Sequence, residues 1–225
     1  MSTILAERVA FRPVSTVQPK PKWALDPSLV LYLPLWNKSG DVFLSDDVYG
    51  HTVTRYGATP TGQGGMSFDG TDDYLDCGNQ AALNVTGPFS VAIWLKFITH
   101  ETGGIIDKAY NSGGWMLWQE NISDISLYVS GGPQVSMTPP TLDVWADVVV
   151  VLDATSSRFY LNGLLKATGT STFPTGNTSS VLVGKEVLNR YPSPMIGEVS
   201  VYNRALTAQE IQDLYNDTKG RYGGG

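Results

Sequence analysis

The sequence predicts an all-β protein, an antiparallel two-sheet sandwich closed at one end by a short helix. Three observations carry this expectation. Glycine (24) and proline (13) are plentiful while only 16% of residues are charged, a balance that suits short strands and tight turns better than long solvated helices. Apolar residues recur with period two along many short runs, and a single segment near the C-terminus has helical spacing. No strand–helix–strand alternation occurs, so a doubly wound parallel sheet is excluded. With 225 residues and 42% hydrophobic content, the chain can bury a core without staples.

Residues 1–27 are expected to form an extended, basic, Pro-rich arm. Pro13, Pro19, Pro21 and Pro27 fix φ and remove amide donors, which keeps 11–27 from packing as a helix. Arg8, Arg12, Lys20 and Lys22 against Glu7 give residues 1–25 a net charge of +3, leaving −9 of the total −6 for the body. Phe11, Val14, Val17 and Trp23 make the arm more apolar than a solvated linker, so it is expected to lie on a partner. The body is assigned to 28–219 and a flexible glycine tail to 220–225.

About ten strands are expected. Phe89, Val91, Ile93, Leu95 and Phe97 alternate with Ser90, Ala92, Trp94 and Lys96, which sends one face into a core and the other to solvent or a second layer. Similar runs occur at 29–36, 104–108, 115–120, 125–129, 145–152, 158–161, 181–184 and 195–203. Asn162-Gly163 supplies the positive φ of a type I′ turn and predicts a hairpin. Thr207 and Glu210 form a capping box, Leu206 and Ile211 a hydrophobic staple, and the helix they open is expected to end near Asn216.

Several functions are excluded on composition. The acidic body lacks the clustered Lys/Arg of a nucleic-acid groove. The longest apolar run, 148–152, is far short of the ~20 residues of a membrane helix. Cys77 stands alone, so neither an internal disulfide nor dithiol chemistry is expected. Glu7, Arg8 and Arg12 break up any apolar core of a secretory signal, and none is expected. The sequons at Asn37, Asn84, Asn121, Asn177 and Asn216 are read as a by-product of composition.

Four stretches in order, Gly65–Leu75, Phe89–Phe97, Trp145 through Phe159–Gly163, and Ile196–Leu206 leading into the helix, resemble the laminin-G-like branch of the concanavalin A-like lectin/glucanase jelly rolls. The resemblance covers roughly residues 28–216. It implies two stacked antiparallel sheets, one of them concave, and roles in glycan binding, protein binding, adhesion or spacing beside enzymes. Relatives that hydrolyse glycans carry paired carboxylates on one strand. Here Glu198 is followed along its strand by Ser200 and Tyr202, and Glu101, Glu120 and Glu186 are expected to sit alone near turns. His51 and His100 lack a nucleophile elbow, so no catalytic residue is assigned.

A sugar site needs a flat aromatic face and amide or carboxylate groups for hydroxyls. Tyr110, Asn111 and Trp115 fit such a rim loop, with Tyr191 expected beside it; Trp94 and Trp118 are weaker candidates, since each falls inside a strand where it could pack sheet on sheet. Asp69, Asp72 and Asp73 could ligate calcium, which suits a tight loop rich in carboxylates. The resemblance implies a further Asp where this chain has Gly197. The favoured reading is therefore a plain turn at Asp69-Gly70, with Asp72 accepting amides and no cofactor. Together these features lead to the expectation of a non-catalytic structural component of a phage-like virion, decorating the capsid or tail. It would attach to other protein subunits through the arm and contact glycans weakly. A secreted or surface carbohydrate-binding or adhesion module is the alternative, and a glycoside hydrolase or lyase ranks third.

Overall fold

The computed structural model describes residues 22–62, 64–120, 122–154 and 156–223. Of the arm residues, Arg8, Phe11, Arg12, Val14, Val17, Lys20 and the Lys22 side chain lie outside that description. In chain order the strands are β1 (Leu29–Pro34), β2 (Val42–Leu44), β3 (Thr52–Tyr56), β4 (Thr59–Thr61), β5 (Gly65–Ser67), β6 (Tyr74–Asp76), β7 (Phe89–Phe97), β8 (Gly103–Asp107), β9 (Trp115–Glu120), β10 (Asp124–Val129), β11 (Val135–Met137), β12 (Ala146–Leu152), β13 (Ser156–Leu161), β14 (Leu164–Thr170), β15 (Leu182–Val183) and β16 (Pro194–Tyr202), followed by helix α1 (Ala208–Thr218).

These strands form two antiparallel sheets. One runs β14–β13–β12–β7–β16–β5–β4 with β1 also paired to β16, and the other runs β11–β10–β9–β8–β15–β6–β3–β2. Phe89, Val91, Ile93, Leu95 and Phe97 are fully buried between them, as the alternation predicts, against Trp115, Leu117, Ile125 and Leu127 of the second sheet. Each such side chain contributes about 1.5–3 kcal/mol by leaving water. The predicted hairpin is present, with Asn162 at φ 52° and Gly163 at φ 77° between β13 and β14. The surplus over ten strands consists mostly of pieces of two to five residues, too short to show a period.

The far side of the first sheet is closed by a third layer, so we call it the covered sheet and its partner the open sheet. A second apolar cluster joins Tyr32, Ala92, Val149, Val151 and Tyr202 to Leu206, Ile211 and Leu214 of the α1 region. The capping box forms as predicted, with Thr207 Oγ1 accepting the Glu210 amide and Glu210 Oε2 accepting the Thr207 amide. Arg204 bonds both Glu210 and Asp26, and chiefly through that contact holds the Glu210 carboxyl down at about 2.

Three boundaries differ from expectation. Helix α1 runs to Thr218 because the Thr218 hydroxyl donates to the Leu214 carbonyl and accepts from Trp94 Nε1. The chain then stays packed: residues Lys219–Arg221 make a 3-10 turn and the buried Tyr222 hydroxyl donates to Glu198, so 220–222 are part of the body. At the other end, Lys22–Leu25 form a 3-10 turn in place of extended chain, and the Trp23 ring meets Tyr32 edge-on at 5.0 Å.

Candidate functional site

The outer face of the open sheet carries a cleft of about 210 Å³. The pleat builds its floor: Trp115 and Leu117 of β9 point into the core, so Met116 and Trp118 point outward. Tyr128 of β10 stands opposite Met116 in the register. One wall is the turn Tyr110–Ser112, entered through Ala109 in the left-handed region at φ 47°, and the other is the loop 184–193.

Asp107, the last residue of β8, ties the two walls together. It is buried, and its Oδ1 accepts the Tyr110 amide at 3.0 Å while Oδ2 accepts the Val187 amide at 3.0 Å. Burial pushes this carboxyl up to about 6 even though both amide bonds pull it down. Glu186 is 2% exposed and accepts from Arg190 Nε at 3.0 Å, while the Arg190 guanidinium lies 4.3 Å over the Trp118 ring. Glu120 Oε2 accepts from Trp118 Nε1 at 2.7 Å and from the Tyr128 hydroxyl at 3.4 Å. Tyr110 meets Tyr128 edge-on at 5.4 Å, which leaves a pair of phenol rings at the mouth beside the exposed Asn111.

The sequence-predicted sugar residues divide. Tyr110 and Asn111 line the cleft. Trp115 does not: it is 0% exposed, packed against Phe89 at 4.9 Å, and it belongs to the core because its pleat phase matches Leu117. Tyr191 stands apart from Tyr110, packed instead beside Tyr74 and Lys185. Trp94 and Trp118 pack on the outer faces of their sheets, under Tyr222 and Arg190 respectively, and not sheet on sheet. The fold also gathers carboxylates that the sequence separates. Asp107, Glu120 and Glu186 share the cleft, and Glu198 shares a small buried cavity with Asp147. The one local hint was the four-residue spacing of Glu186 and Arg190 on a turn.

Asp69, Asp72 and Asp73 bring carboxylate oxygens within 4.8 Å of one another. Amide bonds within the turn already engage part of this donor set. Asp69 Oδ1 accepts the amides of Thr71 and Asp72, and Asp73 Oδ2 accepts the Asp69 amide, so the turn acceptor is Asp69 and not Asp72. Burial raises the Asp73 carboxyl, and the charges of Asp69 and Asp72 add to that. Gly197, where the resemblance implies another ligand, lies against the Tyr222 ring and has no room for a Cβ.

A family model described as the concanavalin A-like lectin/glucanases superfamily matches residues 69–212. The chain belongs to this superfamily. No curated protein matches the chain by sequence. Among solved structures, the receptor binding domain of botulinum neurotoxin C/D mosaic serotype is similar, with a TM-score of 0.70 at 15% identity over 85% of this chain and 51% of that one. A structure of botulinum neurotoxin type C, whose cell entry is dependent upon interaction with two ganglioside molecules, gives 0.67 at 16% over 83% and 50%. Trypanosoma rangeli sialidase in complex with sialic acid gives 0.66 at 15% over 85% and 33%. The chain spans about half the length of the toxin domains and a third of the sialidase, and at these identities the likeness is one of fold.

Within the concanavalin A-like fold, glycan hydrolysis takes two carboxylates that both reach the sugar bond. In this cleft both oxygens of Asp107 are taken by amides and Glu186 is buried against Arg190. Glu120 alone among the three is partly exposed. Phenol rings, a side-chain amide and one carboxylate are groups that hold hydroxyls and ring faces. Among the described residues no helix is long and apolar enough to cross a membrane.

Proposed function

We propose that this chain is a non-catalytic glycan-binding module and that the cleft on the open sheet takes one sugar ring. The observation that carries this reading is the convergence of Tyr110, Asn111, Tyr128 and Glu120 around a space of about 210 Å³, below the roughly 300–1,000 Å³ of pockets for larger ligands. The interaction of botulinum neurotoxin type C with gangliosides and the sialic acid bound to the sialidase support glycans as the ligand class without setting which sugar this cleft takes. An open site of this size excludes little water, so a Kd of ~1 mM, about −4 kcal/mol, is expected, and function then depends on many copies. A glycan array read with single chains and with a multivalent display tests it. Binding should appear in the multivalent form and disappear in Tyr128→Ala; silence in both forms would remove the reading.

The finer proposal is attachment to a larger assembly, a phage-like particle, through residues 1–21. It is supported by the seat of Trp23 on Tyr32, which starts the arm on the covered side of the sandwich, away from the cleft. Anchorage on one side then leaves the other free for ligand. Removal of residues 1–21 should abolish association with partner subunits while the sandwich stays folded; retained association would sink this proposal.

A further inference from the structure

We propose that the cleft selects its sugar by charge, preferring a ring that bears a free amine, then an uncharged ring, and rejecting one that bears a carboxylate. This inference rests on the glycan-binding reading and adds the substrate class to it. Four charged side chains line the cleft: Asp107, Glu120, Glu186 and Arg190. Arg190 is the sole cation among the described residues lining it, and it is already engaged. Its Nε bonds Glu186 at 3.0 Å, and its guanidinium plane rests on Trp118 at 4.3 Å. That pair cancels, which leaves Asp107 and Glu120 as surplus negative charge at a partly desolvated surface.

Glu120 is the group that meets the ligand. Its two hydrogen-bond donors, the Trp118 indole and the Tyr128 phenol, are neutral, and both go to Oε2. No cation pairs with it among the described residues. Oε1 is left to accept from a ligand hydroxyl or ammonium, and it opposes a second carboxylate. The surrounding field has the same sign, since residues 26–225 carry −9. Like charges brought together at a recognition site are a strong source of discrimination, and one factor of ten corresponds to only 1.4 kcal/mol.

The test uses the full chain and three matched oligosaccharides of identical linkage, built from glucosamine, glucose and glucuronic acid, titrated at low and at physiological salt. Affinity should fall in that order, with on the order of tenfold between the first and the last at low salt and a smaller gap as salt screens it. Glu120→Gln keeps an acceptor for Trp118 and should narrow the gap, while a melting temperature within about 2 °C of the wild type reports an intact fold. Equal or tighter binding of the glucuronic acid oligomer would overturn the charge assignment while leaving a glycan module standing. A gap unaffected by Glu120→Gln would overturn the role given to that residue. Absence of binding by all three would overturn the glycan reading and this inference with it.

Discussion

The two outer faces of the sandwich carry similar chemistry under different cover. On the covered sheet, Trp94 stacks on Tyr222 at 4.4 Å, and Glu198 accepts from Tyr32, Trp36, Tyr222 and Arg221. Arg221 in turn lies 5.2 Å over the Trp36 ring. On the open sheet, Glu120 accepts from Trp118 and Tyr128, and Arg190 lies over Trp118. Each face pairs tryptophan, tyrosine, glutamate and arginine. Helix α1 and the C-terminal turn bury Tyr32, Trp94, Glu198 and Tyr222, with Trp36 and Arg221 at the rim, and the set is satisfied from within the chain. A turn of three residues and one loop only frame the second, leaving acceptors for a ligand. Under the proposed reading, the same residue types are structural where a layer closes over them and recognitive where it does not.

That contrast breaks most visibly on removal of one glutamate from each face. Glu198→Ala takes the buried carboxylate from the partly exposed Arg221 and orphans two buried tyrosine hydroxyls, so chemical denaturation should show a loss of about 2–5 kcal/mol. Glu120→Gln should cost about 0.5 kcal/mol, as surface changes do, and act on binding instead. Similar losses in both variants would erase the distinction.

The covered face also holds a buried carboxyl without an ion-pair partner among the described residues. Asp147 is 1% exposed, its Oδ2 has no partner, and burial followed by the charge of Glu198 lifts its carboxyl to about 8. An unfolded Asp ionises near pH 4. Above that pH the unfolded state gains from ionisation and the folded state does not, so Asp147 lowers stability progressively from pH 4 until its own folded value is reached. Asp147→Asn removes this penalty. Its advantage over the wild type should grow by about 2–3 kcal/mol between pH 5 and pH 7, at about 1.4 kcal/mol per unit. A pH-independent difference would show that Asp147 is ionised when folded.

Smaller effects sharpen the edges of the comparison. Truncation before Lys22 should leave the melting temperature unchanged, whereas truncation before Asp26 also removes Trp23 from Tyr32 and should cost about 1–2 kcal/mol. Equal melting of the two truncations would detach Trp23 from the covered layer. Smallest of all, a chelator should not shift the melting temperature, because the turn at Asp69 is already satisfied by amides. A shift restored by calcium and not by magnesium would make that loop a metal site.

Legibility followed locality. The β7 alternation, the Asn162-Gly163 hairpin and the Thr207/Glu210 capping box are each set by residues within nine positions of one another, and all three formed. The Trp115–Glu120 run, Trp-Met-Leu-Trp-Gln-Glu, has four apolar residues in succession, so its polarity does not reveal which face is inside. The sequence reading therefore puts Trp115 in the rim loop, whereas Trp115 is buried and Trp118 lines the cleft. The cleft joins Tyr128, Glu120 and the 186–190 loop through strand pairing across the open sheet, and no spacing in the sequence reports such neighbours.

Under the proposed function, ligand enters the open face and not the covered one. Each of the six tryptophans carries an indole N–H that a nitrogen–proton correlation spectrum can follow. Two of them report directly, since Trp118 Nε1 donates to Glu120 beside the cleft and Trp94 Nε1 donates to Thr218 beneath α1. Titration with an array-positive glycan should shift the Trp118 indole and the Tyr110, Tyr128 and Val187 amides while the Trp94 indole stays still. Movement at Trp94 with Trp118 unmoved would contradict the account.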